Sequence, residues 1–180
     1  MIKKENSMEI LRSYVHPALD LSDDSTLYER VTARAIIQNE DDLLMIYTKR
    51  YDDYGFPGGG VDLGEDIRDA LLREIQEETG ALNVQILSEF GIYEELLPTH
   101  HEGYDATHMV SHFYICSADK KLGESNPEAY EVVNGSVPVW VSLDEAILHN
   151  QNLIASKDDA MGLTIERETY VLKTLKERLK

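Results

Sequence analysis

A chain of 180 residues with 42% hydrophobic and 28% charged side chains fits one domain of about 130 to 150 residues with terminal additions, and leaves no room for a second catalytic domain. Its 34 acidic against 17 basic residues give a formal charge of −17, which argues against nucleic acid or an anionic membrane as a partner, because phosphate surfaces demand a Lys/Arg face. The single Cys116 precludes an internal disulfide; no run approaches 18 apolar residues, and the opening MIKKENSMEILRSY lacks an apolar h-region, so the expectation is a cytoplasmic protein.

In chain order, residues 1–27 read as an N-terminal extension whose Asp20-Leu21-Ser22-Asp23-Asp24-Ser25 stretch is loop-like, and residues 28–180 as a single domain. Two β-rich runs, 31–38 and 43–48, flank the polar turn Asn39-Glu40-Asp41-Asp42, which predicts a hairpin. A loop over 49–60 ends in Phe56-Pro57-Gly58-Gly59-Gly60 and leads into a helix over 66–79, with acidic residues at its start and Gly80 as its stop. Strands are expected over 83–94 and 108–117, separated by a polar loop over 97–107. A short buried strand over 138–141 carries Trp140, the only tryptophan, and Ser142-Leu143-Asp144-Glu145 reads as a capping box opening a helix. A last helix covers about 165–179, with Leu172, Leu175 and Leu179 on one face. Strands on both sides of a helix, with further helices at the end, argue an α/β fold with a mixed β-sheet between helices.

The helix over 66–79 carries the chemistry. Ile67, Ala70 and Leu71 form an apolar stripe at i, i+3, i+4, and Glu74, Glu77 and Glu78 continue it at i+7, i+10, i+11. Clustered carboxylates on an inward face repel one another and are costly to desolvate, so a cation must compensate them. They also crowd the helix C-terminus, where the macrodipole disfavours negative charge. A hard divalent ion with oxygen ligands and substrate phosphates is the natural partner, and the glycines before the helix let a backbone carbonyl approach it closely.

Gly59, Glu65, Arg73, Glu74, Glu77, Glu78 and Gly80 fall at the spacing G-x5-E-x7-R-E-U-x-E-E-x-G. With that spacing the chain resembles a Nudix hydrolase; the final aliphatic position departs from the pattern, being Ala81 followed by Leu82. The resemblance implies a Nudix-type α/β/α sandwich and a Mg²⁺- or Mn²⁺-dependent enzyme that cleaves a nucleoside diphosphate linked to a further group X. It also implies Glu74, Glu77 and Glu78 as metal ligands with the Gly59 carbonyl, Glu74 as the residue that orients or deprotonates the attacking water, and Arg73 as the holder of the glutamates. Glu65 is expected to hold Arg73 or to join the shell of a second metal. A further glutamate from a loop beyond the box is sought in Glu128 and Glu131, ahead of Glu102 and Asp105. Lys49, Arg50 and Tyr54, just before the Gly-rich loop, are candidates for phosphate and base contacts.

Pro98, seventeen residues beyond Ala81, resembles the proline of ADP-ribose-cleaving relatives, so ADP-ribose or another NDP-sugar leads as the small-molecule nucleotide substrate. Tyr93 and Tyr104 match the spacing of dinucleoside-polyphosphate hydrolases poorly, and residues 44–50 reproduce a coenzyme A motif only in part. A nucleoside triphosphate or dinucleoside polyphosphate remains the alternative substrate, and a nucleotide-sugar-sensing module without catalysis ranks below it because every box carboxylate is present. Removal of a 5′ cap from RNA is disfavoured by the acidity. Isomerisation of a prenyl diphosphate needs a cysteine near the box entry, and Cys116 lies far downstream. His108 and His112 share a strand face about 13 Å apart, too far to ligate one ion. A homodimer is left open.

Overall fold

The computed structural model describes residues 8–156 and 161–180. Strands β1 (Ile10–Val15), β2 (Leu27–Asn39), β3 (Asp42–Thr48), β4 (Asp53–Gly55) and β5 (Gly58–Gly60) precede helix α1 (Ile67–Thr79). After them come β6 (Gln85–Leu97), β7 (Ala106–Ser117), α2 (Ala129–Asn134), β8 (Ser136–Ser142), α3 (Leu143–Ser156) and α4 (Ile165–Arg178). The strands join in the order β1-β6-β7-β2-β3-β4, with β5 on β2 and β8 on β3. β1 runs parallel to β6 and β2 parallel to β7, while the other pairs are antiparallel. The sheet is therefore mixed, and the predicted hairpin closes through Gln38 opposite Leu43 and Asn39 opposite Asp42.

Side-chain alternation along the strands sends each core to a different face. Ala33, Ala35 and Ile37 of β2, Leu44 of β3 and Tyr114 and Cys116 of β7 pack with Leu71 and Ile75 of α1. Ile36 of β2, Leu43 and Met45 of β3 and Phe113 of β7 pack instead with Ala146 and Ile147 of α3 and Val171, Leu172 and Leu175 of α4. One helix on one face and two on the other make the α/β/α sandwich. No helix among the described residues is long and apolar enough to cross a membrane.

α1 begins where Asp66 accepts the Arg68 and Asp69 amides, and ends on Gly80 in the left-handed region at φ 64°. Its buried stripe is Ala70, Leu71, Ile75 and Thr79. Ile75 and Thr79 thus complete the packing face, and the three glutamates lie beside it.

Several elements differ from the reading of the sequence. Residues 8–27 are not all loop: β1 pairs along β6, from Ile10 opposite Ile92 to Val15 opposite Leu96. Such a short strand gains its stability from the partner's ladder, a long-range pairing that local pattern does not reveal; residues 1–7 of the predicted extension lie outside the described residues. Trp140 is only partly buried, and its Nε1 donates to the Lys120 carbonyl at 3.0 Å. Ser142 Oγ accepts the Glu145 amide at 3.3 Å. Leu179 falls just past α4 and is exposed, while Leu172 and Leu175 are buried as expected.

Candidate active site

The Gly-rich loop and the glutamate helix meet because β5 pairs with β2 in one register: Ala33 faces Gly59, and Arg34 faces Gly58. Gly58 accepts nothing larger than glycine, and a side chain at Gly59 would displace the Glu74 carboxyl group. A Cβ on Gly58, at φ 129°, would lie 2.1 Å from the Ala33 carbonyl oxygen, and one on Gly59 would lie 2.4 Å from the Glu74 carboxyl group. The backbone at Gly59 is thereby laid against the Glu74 carboxylate.

Arg73 organises the acidic face. Its Nε and Nη2 each donate to Glu65, to Oε1 and Oε2 respectively, both at 3.0 Å. Nη1 donates to Glu74 Oε1 at 2.8 Å and to Glu77 Oε2 at 3.3 Å. The fork matches a carboxylate on one side and joins two more on the other. Hydrogen bonds from Arg73 hold the Glu65 carboxyl below its ordinary value. Burial raises Glu74 against the pull of Arg73. Glu78 is raised well above its ordinary value: burial dominates, the Arg34 charge and the Gly58 amide oppose it, and the neighbouring Glu131 side chain adds to it. Glu78 Oε2 accepts that Gly58 amide at 2.6 Å.

A cavity of about 370 Å³ opens beside this face. Its lining includes Gly58, Gly59, Glu78 and Glu131, the cations Arg30, Arg34 and Arg167, and Tyr51, Asp53 and Leu163. Of the two downstream candidates, Glu131 is buried in the cavity wall, and Glu128 is exposed at the start of α2. Glu131 Oε2 also accepts the Glu128 amide at 2.6 Å, so the same residue caps the helix.

Lys49, Arg50, Tyr54 and Pro98 are not among the cavity-lining residues. Lys49 and Arg50 are exposed, with Arg50 donating to Asn134 Oδ1 at 3.0 Å. Tyr54 packs against Tyr47 and His149, with ring centroids 5.3 and 5.1 Å away, and Pro98 follows the end of β6. Tyr51 is the tyrosine of that segment in the cavity wall. The sequence reading missed Arg30 and Arg34 on β2 and Arg167 and Glu168 on α4. The available signal was a charge inside Ala33-Arg34-Ala35-Ile36-Ile37, a strand otherwise built for burial. Arg34 is partly buried, and desolvation, with the Arg167 charge added, depresses its pKa. Its Nη1 donates to the carbonyls of Phe56 and Gly58, while its Nε has no partner among the described residues.

Among the described residues, no three His, Cys, Asp or Glu side chains stand as a ready ion cage. Glu74 and Glu77 turn to Arg73 instead, and Glu78 to the Gly58 amide. The donor chemistry nevertheless fits a hard divalent ion: the candidates are all oxygens, two of the carboxylates resist ionisation through burial, and Gly59 leaves the space beside Glu74 that a Cβ would fill. Millimolar Mg²⁺ or Mn²⁺ is therefore expected to raise the thermal midpoint over that in EDTA, because an ion that binds the folded state relieves the carboxylate cluster. An unchanged midpoint in both metals would leave a plain acidic surface. His108 pairs with Glu29 at 2.7 Å, and burial lowers the His112 pKa. The Cys116 thiol is buried and pushed up to about 12, which does not suit a proton-transfer cysteine.

The comparisons with known proteins agree with this geometry. The NUDIX domain family model matches residues 28–161. The chain is 33% identical over 95 residues to an ADP-ribose pyrophosphatase of Methanocaldococcus jannaschii, covering 51% of this chain and 48% of that protein. It is 60% identical over 93 residues to an RNA pyrophosphohydrolase of Sulfurovum sp., covering 50% of this chain and 59% of that protein. The chain thus spans less than two thirds of the length of these curated relatives. A solved NUDIX hydrolase from Nitrosomonas europaea superposes with a TM-score of 0.55 at 19% identity, over 82% of this chain and 90% of that one, a likeness of fold alone. With the family model matching most of the chain, the protein belongs to the Nudix hydrolase family.

Proposed function

We propose that the protein is a Mg²⁺- or Mn²⁺-dependent pyrophosphohydrolase that cleaves a nucleoside diphosphate linked to X, with ADP-ribose or another NDP-sugar as the preferred class. The observation that carries this reading is a cavity of ligand size whose lining brings Gly58, Gly59, Glu78 and Glu131 together with Arg30 and Arg34. A pyrophosphate is anionic along its whole length, so it needs cations on both flanks.

Glu74, Glu77, Glu78 and the Gly59 carbonyl would hold the divalent ion, which when bound neutralises phosphate oxygens and makes a water more acidic. Arg73 keeps Glu74 and Glu77 aligned through its Nη1 bonds, and Glu65 in turn fixes Arg73. Glu74 orients the attacking water or takes its proton; Glu131, beside Glu78, is the second candidate for that proton. Arg30 and Arg34, both in the cavity lining, take phosphate oxygens. Tyr51 offers a ring in the cavity wall for a base.

The similarity to an ADP-ribose pyrophosphatase supports the sugar-nucleotide class. The similarity to an RNA pyrophosphohydrolase favours a second reading, attack on the triphosphate end of a nucleotide or RNA; the charge of −17 disfavours a long RNA. A panel of ADP-ribose, other NDP-sugars, nucleoside triphosphates, dinucleoside polyphosphates and 5′-triphosphate RNA, assayed with Mg²⁺, decides between them. The expected result is a higher kcat/KM for ADP-ribose or an NDP-sugar than for any plain triphosphate. A tenfold advantage for triphosphates, dinucleoside polyphosphates or RNA would refute the preference and leave the hydrolase reading standing.

A further inference from the structure

The Gly-rich loop is held from behind by a helix outside the stretch that the family model matches. That match ends at residue 161, and α4 begins at Ile165. Two consecutive residues of α4, Arg167 and Glu168, are buried charges among apolar neighbours. Glu168 Oε2 accepts the Phe56 amide at 3.0 Å, across 112 positions of sequence. Its other oxygen, Oε1, accepts Arg167 Nε at 3.1 Å and Nη2 at 2.6 Å. Arg167 Nη1 reaches Glu95 of β6 and, at 3.3 Å, Ser111 Oγ of β7, which accepts Thr32 Oγ1 of β2 at 2.8 Å.

The same loop is gripped at every following backbone group that could let it slide. The Pro57 carbonyl accepts the Ala35 amide at 2.8 Å, the Gly58 amide goes to Glu78, and the Gly58 carbonyl goes to Arg34. The Phe56 ring is set edge-on to Phe113, with centroids 5.5 Å apart. A buried ion pair is a poor way to stabilise a fold, since well-packed apolar residues of similar volume commonly serve as well or better. Its use here is geometric: an acceptor at the end of a three-bond side chain, held in place by a neighbouring guanidinium, fixes one amide to a few tenths of an ångström.

We propose that Glu168, with Arg167 behind it, is a positioning residue: by fixing the Phe56 amide it sets where Gly58 and Gly59 stand relative to Glu78 and Glu74. This rests on the metal-site reading above. The reach of the Glu168 side chain matters more than its charge, because the Phe56 amide needs an acceptor at that distance and an amide oxygen supplies one.

Two variants separate reach from charge. Glu168→Gln keeps the length and one acceptor, which the Phe56 amide takes while the new NH₂ meets the Arg167 guanidinium and lowers the midpoint; Glu168→Asp keeps the charge and withdraws the acceptor by about one C–C bond, roughly 1.5 Å. Mn²⁺ binding to the whole chain, followed by the electron paramagnetic resonance of free Mn²⁺, is the main readout, with thermal midpoint and kcat measured alongside. Glu168→Gln is expected to bind Mn²⁺ within about threefold of wild type, and Glu168→Asp at least tenfold more weakly, with kcat falling in step. Amide exchange at residues 56–59 is expected to be slow in wild type and in Glu168→Gln, and faster in Glu168→Asp. The reverse order of Mn²⁺ affinities, or a lowered midpoint with unaltered affinity in both variants, overturns the proposal. Fast exchange of the Phe56 amide in wild type overturns it without any variant, should Glu168→Asp fail to fold. Absence of Mn²⁺ binding by the wild type would instead sink the metal-site reading, and the exchange rates would still report separately on loop positioning.

Discussion

Replacing Glu78 by glutamine is expected to lower turnover at least about a hundredfold, equivalent to about 2.7 kcal/mol of transition-state stabilisation, while leaving the fold intact. Glu78 is the box glutamate that lines the cavity; it accepts the Gly58 amide and lies beside Glu131. Glutamine removes the charge that a bound ion would use and preserves an acceptor for Gly58. Burial raises the folded-state pKa of Glu78, so stability from this residue falls as pH rises past its unfolded value, and the uncharged variant is expected to melt at a higher temperature in EDTA at neutral pH. A steady-state assay with Mg²⁺ beside a melting curve checks both halves. Turnover like that of wild type would contradict the assignment of Glu78 as a ligand.

A second large effect is expected at Asp53, which also lines the cavity. Burial, then the Glu168 and Asp52 charges, push its carboxyl up to about 7 from an ordinary 3.8. The folded state holds this proton more tightly than the unfolded chain does. Stability from this residue is therefore fully present below about pH 3.8 and is lost as pH rises toward 7, after which the penalty is constant. At about 1.4 kcal/mol per unit the loss reaches at most about 4 kcal/mol. Asp53→Asn mimics the protonated form, so urea unfolding should show a gain of that order or less at pH 8 and a change under about 1 kcal/mol at pH 4. Equal effects at both pH values, or a loss at pH 8, would contradict the burial argument.

What the sequence revealed of this site depended on how far apart the contributing residues lie. Gly59, Glu65, Arg73, Glu74, Glu77 and Glu78 belong to one loop and one helix, so helical periodicity and glycine placement suffice to gather them. Glu131 was within reach of the same reasoning, since an acidic residue before β8 falls beside the box once the sheet is drawn. Arg34 and Glu168 were not, because their roles come from register between β2 and β5 and from packing of α4 against the loop, neither of which leaves a local pattern. Lys49 and Arg50 illustrate the converse: they adjoin the Gly-rich loop in sequence, yet the turn after β3 carries them to the exposed surface. The fold was legible where alternation is long, as in β2, β3, β6 and β7, and illegible in β1, β4, β5 and α2. Those short elements are held by pairing with distant strands or by a single cap.

The most direct measurement is hydrolysis of ADP-ribose by purified wild-type protein and by Glu78→Gln, with Mg²⁺, with Mn²⁺ and with EDTA, followed by separating AMP and ribose phosphate from substrate. Cleavage by the wild type in either metal, abolished by EDTA and reduced about a hundredfold in the variant, is the predicted result. Cleavage that persists in EDTA, or equal rates in wild type and variant, would contradict metal-dependent pyrophosphate cleavage at this cavity.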